Sequence, residues 1–308
     1  MNRKQLGVVM AAGVVVAVVL GAGIYGALQA PETHDHRWQV VATFYPLAYM
    51  TQAIGGEHVS VHTLVPANTD IHSWQPSFSD IYAADNAHLL VYNGAHLDPW
   101  FEEDVLPALD IRDSLVVNTT ANVSLISGRG THGVDPHTWV APPTAHQQAR
   151  SIYEALVYMD PAHQEYYSRR WENLSQRLTD LDHRYAASLA SAPKDVIFVT
   201  HAAYGYLAQG YGLTQYAITG ISADEQPSTA ALKTLVDSME YHHTYVLYVN
   251  PLHSEREAQA LKQTLEGRTG QPVTILRLYV MLGPMDGLDY LQQMEQNLEN
   301  LKTGLGAA

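Results

Sequence analysis

Residues 160–193 read DPAHQEYYSRRWENLSQRLTDLDHRYAASLASAP, and this stretch decides the fold. It opens with Asp160 as the predicted N-cap of a helix and Pro161 at the first helical position. Apolar side chains then recur every three or four residues in one continuous stripe: Tyr167, Trp171, Leu174, Leu178, Leu181, Tyr185 and Leu189. A helix of about 30 residues is about 45 Å long, roughly the diameter of a domain. The pattern therefore predicts a helix over residues 161–192 that joins two lobes.

Short β-rich runs alternate with helical patterns on both sides of this helix. The runs before the helix cover residues 38–44, 59–65, 88–94 and 115–120, and those after it cover residues 196–200, 215–220, 245–250 and 273–279. Such alternation is typical of α/β units. We therefore predict an α/β fold with two lobes, residues 37–160 and 193–308, joined by a single long helix.

The first 36 residues form a separate segment. Arg3 and Lys4 precede an uncharged run over residues 6–28. As a helix this run would be about 34 Å long, enough to cross a bilayer core of about 30 Å. Basic residues before the run and none just after it place the rest of the chain outside the cytoplasm. We predict a membrane anchor, with a cleaved signal segment and a secreted or periplasmic body as the alternative.

Charge and cysteine content narrow the classes of partner. The chain has 31 Asp+Glu against 17 Lys+Arg, a net charge of −14 at pH 7. This excess of acid argues against a nucleic-acid partner and suits a cation. The chain has no cysteine and 16 histidines, so a bound metal would be held by nitrogen and oxygen.

A short motif, D-x-H-[ST]-W, occurs twice in the first lobe, as DIHSW over residues 70–74 and DPHTW over residues 135–139. In the second lobe, His201 directly follows the β-rich run 196–200. Open α/β sheets bind ligands beyond the carboxyl ends of their strands. We therefore predict that His72, His137 and His201 converge in the cleft between the lobes and bind one divalent cation.

The predicted ligand set favours zinc. Zinc accepts imidazole nitrogen and usually reaches four ligands, whereas calcium, magnesium and manganese call for more carboxylate oxygen. Asp70 and Asp135 each stand two residues before a predicted ligand. We predict that they accept the second ring N–H of the histidine and so fix its tautomer. Hydrogen bonding to the local backbone in a turn is the alternative for both.

From about residue 40 to residue 301 the sequence resembles the zinc/manganese ABC-transporter substrate-binding proteins. The resemblance is carried by ATFYPLAYMTQAIGG (42–56), LVPANTDIHSWQPSFSDI (64–81), VYNGAHLDPWF (91–101), VDPHTWVAPPTA (134–145) and THAAYGYLAQGYGL (200–213). It implies two α/β lobes on a long helix and an extracytoplasmic protein that is not an enzyme. This protein would capture Zn²⁺, or alternatively Mn²⁺, and deliver it as a monomer to an ABC permease.

The resemblance also implies that His72, His137 and His201 are the first three metal ligands, and histidine at the third place resembles the zinc-selective branch. The family's fourth ligand is an aspartate, but Val280 stands at about that place. Water or a carboxylate from elsewhere would then complete the shell, and we expect an accessible site. Many zinc members have a long acidic and histidine-rich loop before the second motif. Here the corresponding loop is short, and its only histidine is His132.

Two functions of other classes remain open from the residues alone. Three histidines with an open water position also describe a zinc-dependent hydrolase, for which Asp224 or Glu225 would have to act as the general base. The chain contains no H-E-x-x-H arrangement that would fix such a base by spacing. A metal-stabilised adhesin would use a closed zinc site and lose its fold on chelation.

Overall fold

Parallel strands form two four-stranded sheets in the computed structural model, which describes residues 37–128, 133–220, 229–252 and 255–307. The strand orders are β2-β1-β3-β4 and β6-β5-β7-β8. The strands are β1 (Trp38–Ala42), β2 (Val59–Thr63), β3 (Leu89–Tyr92), β4 (Leu115–Asn118), β5 (Val196–His201), β6 (Thr214–Thr219), β7 (Val246–Val249) and β8 (Thr274–Arg277). Each predicted β-rich run overlaps one of them, so the predicted α/β class with two parallel-sheet lobes is confirmed.

Helices connect the strands and cover the sheets. Within the described ranges they are α1 (Tyr45–Gly55), α2 (Phe78–Asp85), α3 (Pro142–Met159), α4 (Gln164–Leu189), α5 (Gly205–Gly210), α6 (Thr229–Tyr241), α7 (Glu255–Thr269) and α8 (Tyr290–Leu305). No helix among these residues is long and apolar enough to cross a membrane. The predicted anchor over residues 6–28 lies outside the described residues.

Helix α4 is the long helix that the apolar stripe predicts. Its buried residues are Tyr167, Leu174, Leu178, Leu181, Tyr185 and Leu189, and Trp171 is half-buried. The helix begins at Gln164 rather than at Pro161, because Pro161–His163 forms a 3-10 turn with Asp160 at its N-cap. The Asp160 carboxylate is then shared between His163 Nδ1, at 2.7 Å, and the Tyr167 hydroxyl, at 2.7 Å.

The two end regions of α4 contact helices from different halves of the chain. Near its start, Arg170 Nε donates a hydrogen bond to the carbonyl of Ala53 in α1 at 2.8 Å. Near its end, the Tyr185 hydroxyl donates to the carbonyl of Met294 in α8 at 2.7 Å. The helix therefore bridges elements that lie far apart in the sequence. The lobe boundaries at residues 37–160 and 193–308 remain a prediction, because Arg37–Ala308 clusters as one compact unit.

One apolar core runs through both sheets. It includes Val41 and Leu90 from the first sheet and Ile197 and Val199 from the second. A smaller cluster lies on the other face of the second sheet and includes Phe198, Leu247, Val236 and Leu265. Because the two sheets share the larger core, separating the two halves would expose buried apolar surface to water. The free-energy cost of that exposure is about 25 cal/mol per Å².

Asp98 is a buried carboxylate in the first half, with 1% of its surface exposed. It accepts hydrogen bonds from the Thr43 hydroxyl at 2.8 Å and from the backbone N–H groups of Asn93 and Gly94, both at 2.9 Å. Burial disfavours its charged form more strongly than these bonds favour it, and raises the pKa of Asp98 to about 6. The native state therefore holds a proton on this group at pH values where the unfolded chain has lost it.

Replacing Tyr185 by phenylalanine is expected to lower the free energy of unfolding by about 1 kcal/mol, because it removes one buried hydrogen bond. The matched control is Tyr158→Phe in α3, whose side chain is 79% exposed. That change is expected to stay within about 0.5 kcal/mol of the unmodified protein. Urea unfolding of the three proteins measures both values, and equal losses in the two variants would contradict the role given to the Tyr185 bond.

Asp98 should make stability fall as pH rises through its folded pKa, because the raised pKa means that the native state binds the extra proton. The stabilisation is complete below the ordinary pKa of an aspartate. Its loss between about pH 4 and about pH 7 amounts to about 3 kcal/mol. Unfolding of wild type and Asp98→Asn across this range, with a chelator present, measures the difference between them. A difference that does not change with pH would refute the assignment.

Candidate metal centre

Three histidine side chains meet beyond the carboxyl ends of the strands. His72 lies on a turn that follows β2, His137 precedes a 3-10 turn over Thr138–Val140, and His201 is the last residue of β5. One ring nitrogen of each lies within 4.8 Å of those of the other two. The ring centroids are 5.5 Å apart for His72 and His137, 6.3 Å for His72 and His201, and 5.0 Å for His137 and His201. The structure thus brings together the three residues that the sequence singled out.

The three histidines differ in burial and line a common cavity. His137 and His201 are buried, whereas His72 is half-buried. Beside them is a cavity of about 230 Å³, which is also lined by Asn68, Asp70, Ile71, Trp139, Asn250, Leu252, Val280 and Leu282. His72 is therefore the most exposed of the three histidines.

Asp135 holds the ring of His137. Its Oδ1 atom accepts the backbone N–H of His137 at 2.9 Å and the ring Nδ1–H at 2.8 Å. Since a carboxylate only accepts, Nδ1 carries the proton, and in the neutral ring Nε2 then carries the lone pair. Within the described part of the chain, His137 Nε2 is buried and has no hydrogen-bond partner. A buried acceptor without a partner is costly, so this atom fits a bound cation.

Asp70 does not repeat this arrangement in the first motif. Its Oδ1 atom accepts the backbone N–H of His72 at 2.8 Å, which is the turn geometry given above as the alternative. Asp70 also lines the cavity and is the one carboxylate among the described residues that do so. The observed contact of Asp70 with His72 is therefore to the backbone N–H.

Val280 lines the cavity from the second half and is 1% exposed. Its backbone carbonyl accepts a hydrogen bond from Trp139 Nε1 at 2.7 Å. The Trp139 ring is fully buried and lies 5.3 Å from the His137 ring, centroid to centroid. The second motif is thus tied to the opposite half of the chain by its tryptophan.

Sequence reasoning missed the amide side chains of the site. Asn250 directly follows β7 and lines the cavity, so the same strand-end rule that singled out His201 would have found it. Asn68 reaches across to the second half, where its backbone N–H donates to the Leu282 carbonyl at 2.9 Å. Other candidates that the sequence raised, namely His132, Asp224 and Glu225, lie outside the described residues.

Known proteins with similar sequences are named for zinc. The chain is 29% identical over 304 residues to the high-affinity zinc uptake system protein ZnuA of Bacillus subtilis, and the match covers 94% of each chain. It is also 29% identical over 284 residues to the zinc-binding lipoprotein AdcA of Streptococcus pneumoniae, covering 87% of this chain but only 56% of AdcA. The chain thus spans little more than half of AdcA.

Solved structures share the fold. The Zn(II)-bound ZnuA-like domain of Streptococcus pneumoniae AdcA matches with a TM-score of 0.75 at 28% identity, over 87% of this chain and 99% of that domain. The laminin-binding protein Lmb of Streptococcus agalactiae, described as bifunctional with adhesin and metal transporting activity, matches with a TM-score of 0.77 at 27% identity. That match covers 87% of this chain and 99% of Lmb.

The family model described as the periplasmic component A of the zinc-uptake complex, ZnuA, matches residues 40–304, which is most of this chain. This match confirms the predicted resemblance, the location outside the cytoplasm and a role in transport rather than catalysis. The chain therefore belongs to the ZnuA family of periplasmic zinc-uptake components.

Proposed function

We propose that this chain captures one Zn²⁺ ion with His72, His137 and His201 and delivers it to the membrane permease of an ABC importer. The observation that carries the proposal is the convergence of three imidazole nitrogens within 4.8 Å of one another. Two nitrogens bound to one tetrahedral zinc ion lie about 3.3 Å apart, given zinc–nitrogen distances of about 2.0–2.1 Å. Only small side-chain movements would therefore bring the three rings onto one ion.

Zinc suits this donor set better than manganese. Three imidazoles and a single lining carboxylate offer mostly nitrogen, whereas manganese favours carboxylate, carbonyl and water oxygen. The relatives described above are named for zinc, which supports the same choice. Mn²⁺ would then bind more weakly at the same place.

An incomplete shell suits an ion that must leave again. The apolar Val280 side chain stands where the resemblance would place a fourth ligand, and Asp70 or water is left to complete the coordination. Structural zinc sites are closed by four protein ligands, whereas an open position allows exchange. His72 is the most exposed of the three histidines, and a departing ion would pass it.

The position of the protein at the membrane belongs to the same proposal. The apolar run over residues 6–28 would tether the chain as a monomer close to the permease, with a cleaved signal segment as the alternative. The support for a tether is the length of the run and the basic residues before it. The two lobes, residues 37–160 and 193–308, would then face each other across the site with the helix over residues 161–192 behind them.

Removing one ligand should weaken zinc binding severely. His72→Ala and His201→Ala are each expected to raise the zinc Kd by more than about 100-fold, which exceeds the effect of losing an outer hydrogen-bond partner. His62→Ala is the matched control, since His62 is exposed on β2, the strand that leads to His72. Competition with a chromophoric zinc chelator measures the Kd values, and added Mn²⁺ tests selectivity. Wild-type affinity in His201→Ala would show that the site is elsewhere.

Chelation should empty the site without unfolding the protein, because the shared apolar core does not depend on the ion. Circular dichroism after dialysis against a chelator is expected to keep the helix and sheet signals. Zinc at about 100 times its Kd should then stabilise the protein by about 2.7 kcal/mol. Loss of the fold on chelation would instead indicate a structural zinc site, as in the adhesin alternative.

A further inference from the structure

The start of helix α5 contacts the second motif from the opposite half of the chain. The Tyr206 hydroxyl donates a hydrogen bond to the backbone carbonyl of Asp135 at 2.7 Å and accepts one from the backbone N–H of Ile126 at 3.3 Å. Tyr206 is 5% exposed, and burial raises the pKa of Tyr206 to about 12. Its hydroxyl therefore stays protonated and remains a donor to Asp135.

Gly205 makes the closest approach to Asp135. A Cβ atom built on Gly205 would overlap Asp135 Oδ2 and would lie 2.9 Å from Ile126 Cδ1. The glycine is not needed for its backbone angles, because it is not among the residues with positive φ. The absence of a side chain at Gly205 instead leaves the space that the Asp135 carboxylate occupies.

The Asp135 side chain cannot easily make room for a larger residue. Its Oδ1 atom is held by two hydrogen bonds from His137, and the residue is 4% exposed. Turning the carboxylate away from Gly205 would break those bonds. The His137 ring would then lose the contact that fixes its tautomer.

We propose that Gly205 and Tyr206 are positioning residues for metal capture. They hold Asp135 against the start of α5, and Asp135 in turn holds the His137 ring with Nε2 left for the cation. Gly205 lies only four residues after His201, so the same helix start sets the placement of His137 relative to His201. The inference rests on the proposed zinc function and extends it to two residues that do not line the cavity.

Gly205→Ala is expected to raise the zinc Kd by about 10–100-fold, the range for losing an outer partner of a metal ligand. Gly210→Ala at the other end of α5 is the matched control, because Gly210 is exposed and an added Cβ would meet nothing within 4 Å. Its affinity should equal that of wild type. Tyr206→Phe removes only the hydroxyl, and we expect a loss near the lower end of the range, about 10-fold.

Two further measurements separate positioning from general damage to the fold. Imidazole ¹⁵N spectra of the metal-free protein should show the Nδ1–H tautomer of His137 in wild type and Gly210→Ala, and its loss in Gly205→Ala. In an Asp135→Ala background, Gly205→Ala should cause no additional loss of zinc affinity, because the carboxylate that it displaces is absent.

The outcomes distinguish this inference from the zinc function itself. Wild-type affinity in Gly205→Ala, or an equal loss with and without Asp135, would overturn the positioning role and leave the zinc proposal intact. Failure of the wild-type protein to bind zinc would overturn the proposed function, while the tautomer spectra would still test the positioning. If Gly205→Ala does not fold, Tyr206→Phe decides, and unchanged affinity and tautomer in that variant would refute the role.

Discussion

The proposed metal site depends on one buried hydrogen bond, from His137 Nδ1 to the carboxylate of Asp135. This bond fixes which ring nitrogen carries the proton and leaves Nε2 as a buried acceptor that no other described group satisfies. The other oxygen of the same carboxylate lies against Gly205, at the start of the helix that follows His201. A single buried carboxylate therefore contacts both the His137 ring in the first half and the start of the helix that follows His201 in the second half.

A binding site formed by residues from two halves of a chain keeps its geometry only if the two halves stay in the same relative position. Here a common apolar core passes through both sheets, and α4 contacts helices from each half. The bond from Trp139 to the Val280 carbonyl adds a polar contact directly beside the site. Such preorganisation lowers the cost of binding, since little has to be ordered when the ion arrives. Of the three histidines, His72 is the one that is only half-buried.

The two copies of the D-x-H-[ST]-W motif serve different ends. In the second copy the aspartate orients the ring, and in the first copy the aspartate closes a turn and lines the cavity. Their tryptophans differ as well, because Trp139 is bonded across to Val280 while Trp74 packs against Trp100 at 4.5 Å. Equal spacing in the sequence thus produced one buried histidine whose ring is held by a carboxylate and one histidine that is more exposed.

The sequence by itself determined the two sheets, the long helix and the three histidines, because periodicity and strand-end position are local properties. It did not show that α4 begins at Gln164, because an N-cap followed by proline also fits the 3-10 turn that the structure has over Pro161–His163. Only the tertiary structure decided the unequal roles of Asp70 and Asp135 and the close approach of Gly205. The approach of Gly205 to Asp135 and the bonds of Tyr206 to Asp135 and of Trp139 to Val280 join residues about 70 or more positions apart. Spacing within a motif carries no information about partners at that separation.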